Sequence, residues 1–194
     1  MIVRRWIGYF RFLLSLRKMR IKGIVVSINE IALIVRTLKE LFIAKEVILD
    51  NVYRYTDQWP VTDIGAGIGD FTILANASGF EQDIPTIVVG QANVHLNSAG
   101  YVHYGKIRSL KGITDQGLVK IDIEGEEFGL FSRSSNKAIR SNQAYAIEYH
   151  GAPQGLAVQE LVMRLQSCGF LVELVPSKVH RNLGYIYAKS KEKP

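Results

Sequence analysis

Cysteine is almost absent from this chain. A single residue, Cys168, stands among 194, which excludes an internal disulfide and any cysteine-rich zinc site. It follows LVMRLQS and precedes Gly169, so it reads as a half-buried helix end rather than a reactive thiol. Long hydrophobic runs are missing too, and nothing approaches the roughly 20 apolar residues that span a bilayer. Arginine and lysine interrupt the N-terminal stretch RRWIGYFRFLLSLRKMR, and no small-residue cleavage site follows. It is therefore not read as a secretory signal, and a cytoplasmic location is expected. The chain shows no internal repeat and no low-complexity linker.

What is present suits a soluble domain. Apolar residues make up 47% and charged residues 22%, with a net charge of +6, a composition that folds rather than staying disordered. Positive charge crowds the first twenty residues and the closing AKSKEKP, while most acids lie between. Residues 2–19 place Trp6, Phe10, Leu13 and Leu14 near one helical face, with Arg4, Arg11 and Lys18 largely elsewhere. Residues 1–20 are thus expected to form a basic amphipathic helix. Packing on its own domain is the leading reading, peripheral contact with an anionic membrane the second. Nucleic acid is disfavoured, because no reader motif follows.

Residues 21–58 read as a lead-in. KGIVVSI and IALIV are two short strands around Asn29-Glu30, RTLKELFIAKEV is helical, and DNVYRYTDQWP is a loop. Residues 59–194 then alternate. VTDIG is a strand, DFTILANASG a helix closed by Gly79, and TIVVGQANVHL and YVHYGKI read as strands flanking NSAG. GLVKIDIEG and AYAIEYHG are further strands, VQELVMRLQSCG is a helix, and FLVELVP with LGYIYAKS forms an antiparallel pair around SKVHRN. Such alternation predicts an α/β fold with a mainly parallel sheet.

Between VTDI and the first central helix stand Gly65, Gly67 and Gly69. A Walker loop would need Gly-Lys-Ser/Thr, which is absent, and the dinucleotide fingerprint fails because position 70 is Asp70. What stands is Asp63-x-Gly65-x-Gly67-x-Gly69. Missing side chains let backbone approach a ligand, and the helix N-terminus favours a carboxylate. Asp63 can accept from a ligand's ammonium or order the turn. A tight strand-to-helix connection also accounts for the glycines by themselves.

The turn resembles the first motif of class I S-adenosylmethionine-dependent methyltransferases. Together with VKIDIEGEEF (119–128) and AIEYHG (146–151), in that order, it makes residues 40–190 resemble the FkbM-type methyltransferase family. The resemblance implies a Rossmann-like methyltransferase fold, here abbreviated, with the antiparallel strand pair at its C-terminal end. It further implies S-adenosylmethionine as donor and a hydroxyl of a sugar or other small metabolite as acceptor. It matches Asp63, Gly65, Ala66, Gly67, Gly69 and Asp70 to the cofactor turn. Asp122, Glu124 and Gly125 match the acidic strand end facing the methyl group, and Glu148 and His150 match the family's Glu-x-His pattern.

Apart from the family, alternation along a strand puts Asp122 and Glu124 on one side, and likewise Glu148 and His150. Ligands of doubly wound sheets sit beyond the carboxyl ends of the strands, where these four converge. His150 is the first candidate for general base, with Glu148 and Asp122 as the other catalytic candidates. The oxygens of Asp122, Glu124 and Glu148 would suit a hard cation, but no metal is expected. His95, His103 and His180 have no matching context. Two rival readings are a degenerate member that binds without chemistry, and a membrane- or nucleic-acid-associated module led by the N-terminal helix.

The resemblance also implies a second strand after the first helix, ended by an acid that grips the ribose hydroxyls. Only about 50 residues separate Gly69 from KIDIEG, too few for two strand-helix units plus a strand pair when one parallel crossover takes a dozen or more. An internal deletion is expected. Glu81 and Asp83 are the only acids nearby, and Glu81 is kept as a cofactor candidate although it ends no apolar strand. The adenosine side should then be open and donor binding weak, unless another chain completes the cup.

Overall fold

Asn29 and Glu30 both take left-handed backbone angles, φ 44° and 70°. A tight two-residue hairpin turn demands that pair, and it folds β1 (Ile24–Ile28) antiparallel onto β2 (Ile31–Val35). The computed structural model describes residues 23–113, 117–177 and 180–191. The expected basic helix of residues 1–20 lies outside the described residues. After the hairpin comes α1 (Leu38–Ile48). Thr37 Oγ1 accepts from the Glu40 amide at 3.1 Å, and the Glu40 carboxylate reaches back to the Arg36 amide at 2.5 Å. One donor that the helix leaves open at its start, and the amide just before its cap, are thereby satisfied.

The remaining elements are β3 (Val61–Ile64), α2 (Asp70–Leu74), β4 (Ser78–Glu81), α3 (Ile84–Asn97), β5 (Tyr101–Tyr104), β6 (Leu118–Ile121), α4 (Glu127–Ser132), α5 (Asn136–Arg140), β7 (Ala144–His150), α6 (Leu156–Ser167), β8 (Phe170–Pro176) and β9 (Leu183–Ser190). They build a seven-stranded sheet in the order β5-β4-β3-β6-β7-β9-β8. The first five strands are parallel, and β9 runs antiparallel between β7 and β8. The expected α/β fold with its closing antiparallel pair is present. Among the described residues no helix is long and apolar enough to cross a membrane.

Alternation on the central strands feeds two cores. Val119, Ile121, Tyr145 and Ile147 pack against Leu130, Phe131 and Leu161 on the side of α4 to α6. Leu118, Ala144 and Ala146 pack with Val47, Phe71 and Val94 on the side of α1 to α3. Each fully buried large side chain contributes roughly 1.5–3 kcal/mol. A one-residue slip of β6 would turn Lys120 into the wrong layer, so this pattern fixes the register.

Three expectations are corrected. The first central helix stops at Leu74, not Gly79, because Asn76 turns left-handed at φ 47°; Gly79 lies inside β4, opposite Asp63. TIVVGQANVHL is not a strand but most of α3. Its β-branched run Thr86–Val89 favours a strand, but Asp83 caps the helix by accepting from Thr86 N at 3.1 Å, and Pro85 sits in the first turn, where its missing N–H costs nothing. Asn93 and Asn97, one turn apart, then accept from the Ile34 and Ala32 amides of β2 at 2.6 and 2.9 Å, satisfying that strand's edge.

The third correction concerns the expected deletion. A second parallel strand is present as β4, and it ends at Glu81. The space the sequence lacked is found by shortening α2 to five residues. The abbreviation falls one unit later: described residues 105–113, which lead from β5 towards β6, carry no helix. Ile107, Leu110 and Ile113 pack over the sheet there instead.

Candidate active site

β3 and β6 meet with no room for a side chain between their ends. A Cβ built at Gly65 would lie 1.7 Å from the Asp122 carbonyl oxygen, and Gly65 stands at φ 81°. The Gly65 and Ala66 amides both donate to Phe80 O at the end of β4, at 2.9 and 3.0 Å. Gly67 N donates to Glu81 Oε2 at 3.0 Å, while the other oxygen of Glu81 accepts from Gln82 and Asp83. Glu81 therefore closes β4 directly against the glycine turn, where the sequence seemed to leave a gap.

Asp63 does not reach the open side of this turn. Its side chain is 0% exposed and accepts from Thr72 Oγ1 at 2.6 Å. Lys120 pairs with its other oxygen at 3.0 Å and donates to Gly65 O at 2.7 Å. Of the two roles open to Asp63, ordering the turn is the one these contacts serve. Burial pulls the Lys120 ammonium down, but Asp63 and Asp122 outweigh that and hold it above its ordinary value. Asp70 lines the cavity in front of the turn. Its Oδ1 accepts from Phe71 N, its Oδ2 is buried without a protein partner, and burial raises its carboxyl to about 6.

Asp122 and Glu148 follow one step beyond the last registered pair of β6 and β7, Ile121 with Ile147. Tyr53 bridges them, its hydroxyl 3.2 Å from Asp122 Oδ2 and 3.3 Å from Glu148 Oε2. Burial, then the Asp122 charge, raises Glu148 to about 7. Burial likewise raises Asp122, against the pull of Lys120. His150 Nδ1 lies 3.1 Å from Oε1 of Glu127, whose side chain is 0% exposed. Its Nε2 faces Glu124 at 3.4 Å and Glu148 at 3.9 Å. The contact with Glu127, then the surrounding carboxylates, raises the imidazole to about 9. His150 therefore holds a proton near neutral pH and is not poised as a base in this state. Glu124 is 74% exposed and left-handed at φ 53°, at the rim of the cluster.

Three cavities join here. One of about 360 Å³ is lined by Gly65, Gly67, Asp70 and Glu81 from the turn side and by Asp122 and Tyr53. A second of about 530 Å³ is lined by Glu148, His150, Phe42 and Tyr185, and shares Lys39, Ile43, Tyr53 and Asp122 with the first. A third, of about 100 Å³, continues from Glu81 beneath Lys106 and Ile107. Gly105, Lys106 and Ile107, the start of the strap of residues 105–113, supply part of its wall. A cavity of about 400 Å³ at the other ends of β6 and β7, lined by Trp59, Leu118 and Ala144, carries none of the candidate residues.

The structure thus gathers Asp122, Glu124, Glu148 and His150 in one cluster and Gly65, Ala66, Gly67, Asp70 and Glu81 in front of one turn. Tyr53, Lys120 and Glu127 were not singled out by sequence reasoning. Lys120 carried a signal, since a lone charge within the apolar run LVKI is expected only if paired. Tyr53 sits in a loop of no recognisable pattern.

Several solved structures share this fold. They include the precorrin-6y C5,15-methyltransferase of Geobacter metallireducens, 14% identical over 86% of this chain and 94% of that one, with a TM-score of 0.51. TYW2 of M. jannaschii, solved with AdoMet, is 14% identical over 88% and 87%, with a TM-score of 0.55. Aeropyrum pernix fibrillarin, with natively bound S-adenosyl-L-methionine, is 10% identical over 86% and 82%, with a TM-score of 0.56. No curated protein matches the sequence significantly. The family model of the methyltransferase FkbM domain, however, matches residues 7–172, and the chain belongs to that family of methyltransferases.

Proposed function

We propose that the chain transfers a methyl group from S-adenosylmethionine to a hydroxyl oxygen of a sugar or other small metabolite. One observation carries the reading. The glycine turn and the acidic strand ends open on two cavities that share Tyr53 and Asp122 as a common wall.

The residues fit the donor. Asp70 lines the cavity in front of the turn, and its Oδ2 is a buried oxygen with no protein partner; the donor's ammonium would supply what it lacks. No atom lies within 4 Å of a Cβ built at Gly67, so the backbone there faces open space. Glu81 accepts from Gly67 N through Oε2 and from two amides through Oε1, so at the end of β4 its Oε2 keeps one acceptor site for a ribose hydroxyl. The pocket beneath Ile107 and Lys106 suits the adenine ring.

When bound, the donor supplies an electrophilic methyl on a sulfonium. Such a donor would give that methyl to the acceptor oxygen and leave as the neutral thioether, keeping the carbon–sulfur electron pair. The chain's share is orientation and removal of the hydroxyl proton. Because His150 is already protonated, Asp122 and Glu148 are the groups left to receive it, and Glu148, near 7, is the better matched. Tyr53 holds the two carboxylates in place, and His150 keeps positive charge beside them.

Donor binding is tested by the melting temperature of the full chain with and without S-adenosylmethionine. The acceptor is tested by transfer of a labelled methyl group to a panel of free sugars and glycosides. An unchanged melting point at millimolar donor would overturn the first part. Label recovered on nitrogen or carbon, rather than in an alkali-stable ether, would overturn the second.

A further inference from the structure

We propose that Asp122, Glu148 and His150 bind one divalent cation of the manganese type at the acceptor side of the active site. The inference rests on the methyl-transfer reading for the site's purpose, but not for the geometry. One ligand atom from each of the three residues lies within 4.8 Å of the others. Donors around a single ion with bonds near 2.1 Å stand roughly 3–4 Å apart, so small side-chain rotations complete the set.

Two independent features point to a cation rather than to a mere crowd of acids. The first is like charge. Tyr53 has one hydroxyl proton and faces carboxylate oxygens of both Asp122 and Glu148, at 3.2 and 3.3 Å, so it can satisfy only one at a time. Tyr185 offers Glu148 a second hydroxyl, yet neutral hydroxyls leave the two carboxylates facing each other's charge in a half-buried pocket.

The second feature is the support behind the imidazole. Glu127 is 0% exposed, and its Oε1 is fixed by the Ile123 and Gly125 amides at 3.2 and 3.0 Å. That oxygen holds His150 Nδ1 at 3.1 Å, so Nε2 is the nitrogen turned to Glu148 and Glu124. A buried carboxylate fixing the far nitrogen of an imidazole is how metal-binding histidines are oriented. The charges facing this point are Asp122, Glu124 and Glu148 against His150 and, from behind, Lys120, whose ammonium is already paired with Asp63, with Lys39 3.7 Å from Glu124.

The donor set selects the ion class. Two carboxylates with one imidazole are too oxygen-rich for a thiophilic metal, and the nitrogen favours a first-row ion over calcium. Three protein ligands leave positions open towards the 530 Å³ cavity lined by Phe42 and Tyr185. Those positions suit two neighbouring oxygens of a diol, which the ion would both orient and acidify. In that state His150 has released its Nε2 proton to solvent and keeps Nδ1–H on Glu127. Asp122 and Glu148 serve as ligands, and the acidified hydroxyl no longer needs them as proton acceptors.

The test is titration of the full chain with Mn²⁺, read as loss of the free-ion paramagnetic resonance signal. Mg²⁺ and Zn²⁺ serve as competitors. We expect one ion per chain, with affinity at least tenfold lower in Asp122→Asn and in His150→Gln. Should either variant fail to fold, as read by circular dichroism, Glu148→Gln is used in its place. Lack of Mn²⁺ binding by the folded wild type at millimolar ion would overturn the proposal. So would one-to-one binding that the substitutions leave unchanged, since the ion would then sit elsewhere. The donor-induced melting shift, taken on the same samples without Mn²⁺, separates the two readings. A shift without ion binding rejects the cation alone, and loss of the shift rejects the donor site.

Discussion

Lys120 and Asp63 form an ion pair 3.0 Å long inside the molecule, with 5% and 0% of their side chains exposed. Lys120 also ties Gly65 O at 2.7 Å, so one ammonium links β6 to β3 and to the start of the turn. Removing one partner of such a pair strands the other charge. Lys120→Met is expected to cost about 3–5 kcal/mol, read from the urea midpoint. Lys120→Met with Asp63→Asn should recover most of that loss. A single variant as stable as the wild type would mean that the ion pair does not hold β6 to β3.

The two first glycines of the turn should respond differently. A methyl at Gly65 meets the Asp122 carbonyl at 1.7 Å, so Gly65→Ala must part β3 from β6 and is expected to unfold the site. Gly67 has open space but stands at φ 53°, where an L-residue costs roughly 1–2 kcal/mol. Gly67→Ala should therefore fold, with donor affinity reduced at least tenfold by the methyl group facing the cavity. Calorimetry finding full affinity in folded Gly67→Ala would remove the turn from the donor site.

Asp70 gives the stability of the chain a pH signature. Its carboxyl is raised to about 6 from an ordinary 3.8 by burial; Lys120 opposes that shift, while Asp63 and Asp122 add to it. The folded state thus holds this proton more tightly than the unfolded chain. Its contribution is favourable below about pH 4 and is lost as pH rises towards 6. Asp70→Asn keeps an acceptor for Phe71 N and carries no charge. It should be more stable than the wild type by about 2–3 kcal/mol above pH 7, from a shift of roughly two units. Near pH 4 the two should match. A difference independent of pH would assign the effect to packing.

Glu81 now stands where the sequence appeared to leave the adenosine side bare. With β4 complete and the strap closing the small pocket, low-micromolar donor binding by the monomer is expected, not weak binding. Glu81→Ala should weaken it about tenfold to a hundredfold, as loss of hydrogen bonds to a charged group does. Calorimetry on wild type and variant decides. Equal affinities would leave Glu81 as a brace for Gly67 N alone.

How legible this site was depended on the kind of signal each residue carried. Alternation paired Asp122 with Glu124 and Glu148 with His150, and the carboxyl ends of parallel strands brought the two pairs together. Asp63, Gly65 and Gly67 were legible from spacing. α3 was not, since four β-branched residues in a row outweighed the cap at Asp83 and the Asn93–Asn97 spacing, whose meaning depends on the edge of β2 lying alongside. β4 was hidden for a related reason: SGFE is too short and too little apolar to read as a strand, and only pairing on both edges makes it one. The charge state of His150 was illegible because Glu127, 23 residues away in sequence, sets it.

The strap of residues 105–113 covers one face of the sheet with a single thickness of chain. Leu110 and Ile113 are its buried anchors, and it is tied to the α4 end by Leu110 N to Ser134 Oγ and by Arg133 Nε to Arg108 O, each 2.8 Å. So little burial makes its opening cheaper than unfolding the sheet beneath it. Yet the same segment walls the pocket at Glu81, through Lys106 and Ile107. A ligand held there adds its binding energy to the cost of opening. Amide protons of the strap should then exchange more slowly with donor present, while those of β6 and β7 keep their rates.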